Sequence, residues 1–196
     1  SKGRYIEQVR QTDQVNLAIG FRAFGVNHDD APALRLLCDI LGGKMSSRLF
    51  TEVREKRGLV YSVGAHPSRF SDAGFVEIKA GVALDKAKEA TEVSLAEAAR
   101  MKNETVGAEE LAEAKQHIRG NLQINESSDY YAGRNGSSLL IRGKLYTVEE
   151  EITEINAVTA EDIQRVAGDI FREDKMTASV VAEKSFENEL KDALHI

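Results

Sequence analysis

The run Leu41-Gly-Gly-Lys-Met-Ser-Ser-Arg-Leu-Phe-Thr-Glu-Val-Arg-Glu-Lys-Arg-Gly-Leu-Val-Tyr61-Ser-Val limits the folds open to this chain more than any other stretch. It reads as the end of one helix, a tight glycine turn, a second short helix, and a strand that begins near Tyr61. Gly42 and Gly43 stop the first helix, and Ser46 or Ser47 can cap the second. Leu49, Phe50 and Val53 give the second helix a narrow apolar face. Arg54 lies one turn beyond Phe50, at the margin of that face, so its stem can be buried while its guanidinium looks outward. Lys56 and Arg57 complement the carbonyl end of the helix, and Gly58 is the expected stop. The result is a guanidinium and a phenol near each other at the mouth of a sheet.

Patterns on either side place this run in a fold. Val15, Leu17, Ile19 and Phe21 alternate with Asn16, Ala18, Gly20 and Arg22, which describes a strand with one buried face, and residues 5–9 are expected to pair with it. Asn27-His-Asp-Asp30 offers an aspartate cap for a helix with Pro32 in its first turn, followed by the core stripe Leu34, Leu37, Cys38 and Leu41. Strands are predicted over about 60–70 and 73–83, joined at Ser71-Asp-Ala-Gly74. Helices then follow, from Asp85 to about Lys102 and over 108–126, 128–142, 147–155 and 159–171, with Thr159-Ala-Glu-Asp162 as a capped start. Met176–Ala182 reads as a closing strand, and the tail from Glu187 as weakly helical. This order predicts an α+β layer: a mainly antiparallel, mixed sheet of about five or six strands covered by helices.

Composition sets limits on function. With 42% hydrophobic residues in 196, the chain can bury one sizeable core and reads as a single domain, 1–196, with no internal boundary. A net charge of −6 argues against general nucleic-acid binding. Apolar runs fall well short of the roughly 20 residues that cross a bilayer, so a soluble protein is expected, cytoplasmic or periplasmic if bacterial. Cys38 has no disulfide partner, being the one cysteine. Ser1-Lys-Gly reads as an arbitrary start, so the span is expected to be a fragment of a larger protein.

As a whole, Leu41 to Tyr61 resembles the signature of the second homologous domain in pitrilysin-type inverted-zincin metallopeptidases, the group of insulin-degrading enzyme and the mitochondrial processing peptidase. Support at the level of pattern extends from the Val15 strand to Val158-Thr-Ala-Glu-Asp-Ile163. The resemblance implies paired domains of about this length, the first of each pair usually carrying zinc. It also implies that an arginine and a tyrosine of the second domain hydrogen-bond a substrate carbonyl near that zinc, and these map onto Arg54 and Tyr61. Inverted zincins bind zinc through H-x-x-E-H. His28, His66, His117 and His195 are too far apart in sequence for that motif, so no metal site and no catalytic residue is expected here, and zinc belongs to a partner domain or subunit. The expected function is the substrate-binding half of a zinc metalloendopeptidase, inactive alone, with peptide and a zinc-bearing domain as partners and self-association when isolated. The alternative is a catalytically inactive homologue serving as a scaffold or assembly subunit, as the core proteins of the respiratory cytochrome bc complex resemble peptidases without acting as such.

Other motifs carry simpler readings. Taken singly, Arg54 would be a surface ion pair and Tyr61 an edge-strand aromatic. Glu113 and His117, four apart, read as a solvated helix-flank interaction; His28 with Asp29 and Asp30 reads as a helix start. Gly42-Gly43-Lys44 lacks the phosphate-loop spacing and is a helix break. The cluster Lys44, Arg48, Arg54, Lys56 and Arg57 could attract acidic peptide or a partner surface. Glu149-Glu-Glu151 reads as a solvated helix start, and sequons at Asn103, Asn125 and Asn135 carry no weight alone.

Overall fold

The computed structural model describes residues 4–124 and 127–196; the start Ser1-Lys-Gly, the Asn125 sequon and the end of the helix expected over 108–126 lie outside the described residues. Along the chain come β1 (Arg4–Val9), β2 (Val15–Ala23), α1 (Ala31–Cys38), β3 (Val60–Arg69), β4 (Gly74–Val82), α2 (Ala87–Asn103), α3 (Ala108–Ile124), α4 (Ser128–Arg142), α5 (Val148–Ala157), α6 (Ala160–Ile170), β5 (Met176–Ala182) and α7 (Glu187–Ala193). Among the described residues, five strands form one sheet in the order β1-β5-β2-β4-β3. All neighbours are antiparallel except β1 and β5, which run parallel. The α+β class and the mixed, mainly antiparallel sheet are therefore as the sequence predicts.

The period-two pattern is what gives the sheet its sidedness. Val15, Leu17, Ile19 and Phe21 of β2, Val76, Ile78, Ala80 and Val82 of β4, and Met176, Ala178, Val180 and Ala182 of β5 all point to one buried face. Helices α1, α2 and α6 pack on the sheet, and α3 and α5 pack on α1. The opposite face carries groups such as the Glu77–Lys79 ion pair, 2.8 Å, and is left to water, as antiparallel sheets allow. Phe21 meets Phe171 edge-on, with centroids 5.1 Å apart and planes at 80°, a geometry worth about 0.5–1.5 kcal/mol beyond the area it buries.

Small side chains bring α2 close. Ala87, Ala90, Leu95, Ala98 and Met101 are buried, and the buried hydroxyls of Thr91 and Ser94 donate to the carbonyls of Ala87 (2.8 Å) and Ala90 (2.7 Å), so no polar group is stranded there. Cys38 is fully buried, and burial pushes its thiol well above the ordinary range.

Two expectations need correcting. The first strand pairs with β5 and not with the Val15 strand: β5 is apolar at every second position and takes the inner place beside β2, while the mostly exposed β1 is left at the edge. Met176–Ala182 is the last strand along the chain, as predicted, and takes an interior place in the sheet. Asp30 stands before α1, but its carboxylate makes no cap; both oxygens accept from Arg165 of α6, at 2.6 and 2.9 Å, which also holds that carboxyl below its usual range.

The start of α6 is as predicted. Thr159 Oγ1 accepts from the Asp162 N–H (3.2 Å), and Asp162 Oδ2 accepts from the Thr159 N–H (3.0 Å), a reciprocal box over a helix whose Ile163, Val166, Ala167 and Ile170 are buried. Thr159→Ala removes the capping oxygen and should lower unfolding stability by about 1 kcal/mol in urea titration. No change would mean that Asp162 alone holds that end.

Candidate functional site

After α1 the chain does not stop cleanly at the glycines. It continues through a wide, π-type turn over Asp39–Gly43, in which Gly42 has non-helical angles (φ −158°, ψ 15°). A Cβ at Gly42 would lie 2.3 Å from the Ala65 backbone nitrogen, so only glycine lets this turn press against β3. The chain then re-enters a helix whose segment Phe50–Glu55 is also widened to π geometry, with the Lys56 N–H donating to the Thr51 carbonyl at 3.0 Å. Leu49 and Val53 are fully buried, as their spacing predicts. Gly58 ends the helix in the left-handed region, φ 58°, and Leu59 N–H reaches back to the Val53 carbonyl at 3.0 Å. Neither Ser46 nor Ser47 makes the expected cap among the described residues, and the Ser47 hydroxyl is buried without a partner among them.

The basic cluster does not survive as a cluster. Arg48 makes a two-pronged bond to Glu110, at 2.9 and 2.7 Å, which raises its pKa above the ordinary guanidinium range. Lys44 lies 3.7 Å from Glu113. Lys56 and Arg57 both bond Glu52 at 2.6 Å, and those two cations, Lys56 first, hold that carboxyl low. Arg54 differs. It is exposed, its guanidinium lies 4.9 Å from the centre of the Phe50 ring, and no carboxylate among the described residues pairs with it. The ion-pair reading of Arg54 is therefore overturned.

Tyr61 sits at a break in register. Val60 faces Val82 and Ser62 faces Gly81, so Tyr61 is the extra residue of a β-bulge on β3, an edge strand. Bulges re-aim side chains, and Tyr61 is 64% exposed, with no hydrogen-bond partner for its hydroxyl among the described residues. Arg54 and Tyr61 thus flank the Gly58 turn, on a helical segment and a strand that pack against each other. They do not bond one another. Both present free donors to solvent.

Three of the four histidines are engaged, each separately, and His66 is exposed. His28 stacks on Phe24 (4.0 Å) and accepts from the Asp30 N–H (3.1 Å). His117 Nδ1 lies 2.7 Å from Asp39 Oδ1, not on Glu113, so the pairing expected along α3 is replaced by a hydrogen bond from His117 to Asp39 and an ion pair of Glu113 with Lys44. His195 meets Glu173 at 3.2 Å. No group of three or more His, Cys, Asp or Glu side chains among the described residues could hold a metal ion, so these residues do not fit a zinc site. Glu151 is not solvated: Arg35 and Arg134 both donate to it, while Glu150 caps α5 with Thr147.

The model of the peptidase M16 inactive domain matches residues 1–118. The chain belongs to that family. This M16 domain is 35% identical over 172 residues to the zinc protease YmxG of Bacillus subtilis, covering 87% of this chain and 42% of that protein. Its fold matches a peptidase M16 inactive domain from Pseudomonas fluorescens with a TM-score of 0.85 at 22% identity, over 94% of this chain and 44% of the other. A protease from Helicobacter pylori gives the same TM-score and identity over 92% and 44%. This M16 domain spans less than half the length of the relatives it matches. The Leu41–Tyr61 signature therefore pointed to the right family.

Proposed function

We propose that this M16 domain is the substrate-holding half of a zinc metalloendopeptidase, in which Arg54 and Tyr61 donate to a backbone carbonyl oxygen of the peptide. The observation that carries this is selective pairing: every other cation of the 44–57 segment is matched to a carboxylate, and Arg54 is not. A guanidinium and a phenol aimed at one oxygen strengthen their bonds as negative charge develops on it. Arginine stays protonated at any working pH and cannot serve as a base. The activated water must then come from elsewhere. That activation would be supplied by zinc held in another domain, as a Lewis acid.

The length supports the same view, since the relatives named zinc proteases have room for a second domain of similar size. The span 1–196 then stands as one domain of a longer protein. Exposed apolar side chains on and after α4, Leu140 at 87% and Leu139 and Leu145 at more than half, suit a surface that another domain or a second copy covers. No helix among the described residues is long and apolar enough to cross a membrane.

Purified alone, the chain should carry no stoichiometric zinc by elemental assay, leave unfolded peptides intact, and sediment as a dimer. Mixed with a zinc-bearing M16 domain, it should yield cleavage that a chelator abolishes. Chelator-sensitive cleavage by the isolated chain would overturn the division of labour.

A further inference from the structure

Where α4, α5 and the end of β3 meet, a cavity of about 240 Å³ is walled by Arg69, Arg134, Ser137, Arg142, Tyr146 and Glu151. It shares four of these walls with a larger cleft of about 560 Å³ that adds Arg35 and Lys144. The carboxylate that walls the smaller cavity is already in use. Glu151 accepts from both Arg35 and Arg134, one negative charge between two guanidiniums, and Glu154 takes the hydroxyl of Tyr146.

Arg69 and Arg142 are left over. The Arg69 guanidinium donates to the Ala31 carbonyl at 3.3 Å, and Arg142 lies over the Tyr146 ring at 4.2 Å. No carboxylate among the described residues pairs with either. Both remain cationic at neutral pH, and a guanidinium drawn out of water is normally matched by an anion. Burial first, then the like charges of Arg142 and Arg35, pull Arg69 below its ordinary pKa. Charge repulsion of this kind inside a cavity is what an incoming anion relieves.

We propose that this cavity binds an oxyanion of carboxylate or phosphate chemistry, held by the guanidinium forks of Arg69 and Arg142. Carboxylates and phosphates both offer two oxygens at the spacing of such a fork. The free C-terminus of a peptide and inorganic phosphate are the two sources. Arg142 ends α4, and Arg69 stands at the opposite end of β3 from Tyr61, so the site stands or falls apart from the peptidase reading.

The test follows the arginine Nε–Hε resonances of the 196-residue chain by NMR at constant ionic strength. One titration uses inorganic phosphate; a second uses a short peptide with a free C-terminus beside its amidated twin. The Arg69 and Arg142 signals should move saturably while that of Arg172, an exposed arginine paired with Asp174, stays still. Movement with phosphate alone, with the free-acid peptide but not the amide, or with both supports the site and names its ligand. Arg142→Ala should weaken binding by about tenfold or more, the loss expected for a charge-assisted hydrogen bond. Lys88→Ala, at an exposed i,i+4 pair on α2, should leave it unchanged. The proposal is overturned if neither probe moves Arg69 and Arg142 saturably, if all exposed arginines shift alike, or if Arg142→Ala binds as the parent does.

Discussion

Gly42→Ala should destabilise the chain by about 3 kcal/mol, the upper end of what overpacking a close contact costs. The added Cβ would stand 2.3 Å from the Ala65 nitrogen and 2.8 Å from both the Ala65 Cβ and the Gly64 carbonyl carbon, and two of these three atoms belong to a backbone that cannot swing away. Relief requires moving the Asp39–Gly43 turn off β3, which also displaces the helical segment that follows and carries Arg54. Gly120→Ala is the matched control. Its Cβ would meet nothing within 4 Å on α3, so alanine there should stabilise by about 0.5–1 kcal/mol through helix propensity alone. Urea denaturation of the two variants measures the contrast directly. Similar small shifts would mean that the turn and β3 are not held in this close register.

The parts of the fold that rest on local pattern are legible in the sequence. Val15 to Phe21 alternates with period two and is a strand with one buried face; Thr159 and Asp162 stand three apart and form the reciprocal cap. What could not be read depends on distant partners. Nothing within residues 4–9 indicates that β5, far along the chain, takes the inner position beside β2, because pairing order is decided by which strand has the more apolar face to bury. Asp30 has the right residue type and place for a cap, but an arginine on α6 offers it a charge-assisted fork in place of a backbone N–H.

The candidate site divides in the same way. Arg54 and Tyr61 are visible from their setting in the Leu41–Tyr61 run, and Gly58 from the need for a left-handed residue at the helix end. Glu52 as the partner of Lys56 follows from i,i+4 spacing and could have been anticipated. Glu110 and Glu113, which neutralise Arg48 and Lys44, lie on α3 and are invisible to any local reading. The bulge at Tyr61 is a matter of register against β4, and the sequence of β3 alone carries no sign of it. Glu151 looked like one of three solvated helix-start acids and is held between Arg35 and Arg134 because α1 and α4 converge on it.

The most direct test of the account compares peptide turnover for Arg54→Ala, Tyr61→Phe and Lys56→Ala in the enzyme reconstituted with its zinc-bearing domain, with zinc content and fold checked for each. Arg54→Ala and Tyr61→Phe each remove one donor and no ligand. Loss of one oriented donor from an oxyanion-type site typically costs on the order of 3 kcal/mol, or about a hundredfold in rate. Lys56 is well exposed and already paired with Glu52, so its removal should cost about 1 kcal/mol at most. The account predicts a drop of about a hundredfold for Arg54→Ala and for Tyr61→Phe, with zinc retained and Lys56→Ala nearly unchanged. Equal, small effects for Arg54→Ala and Lys56→Ala would contradict it and leave Arg54 as one more surface cation.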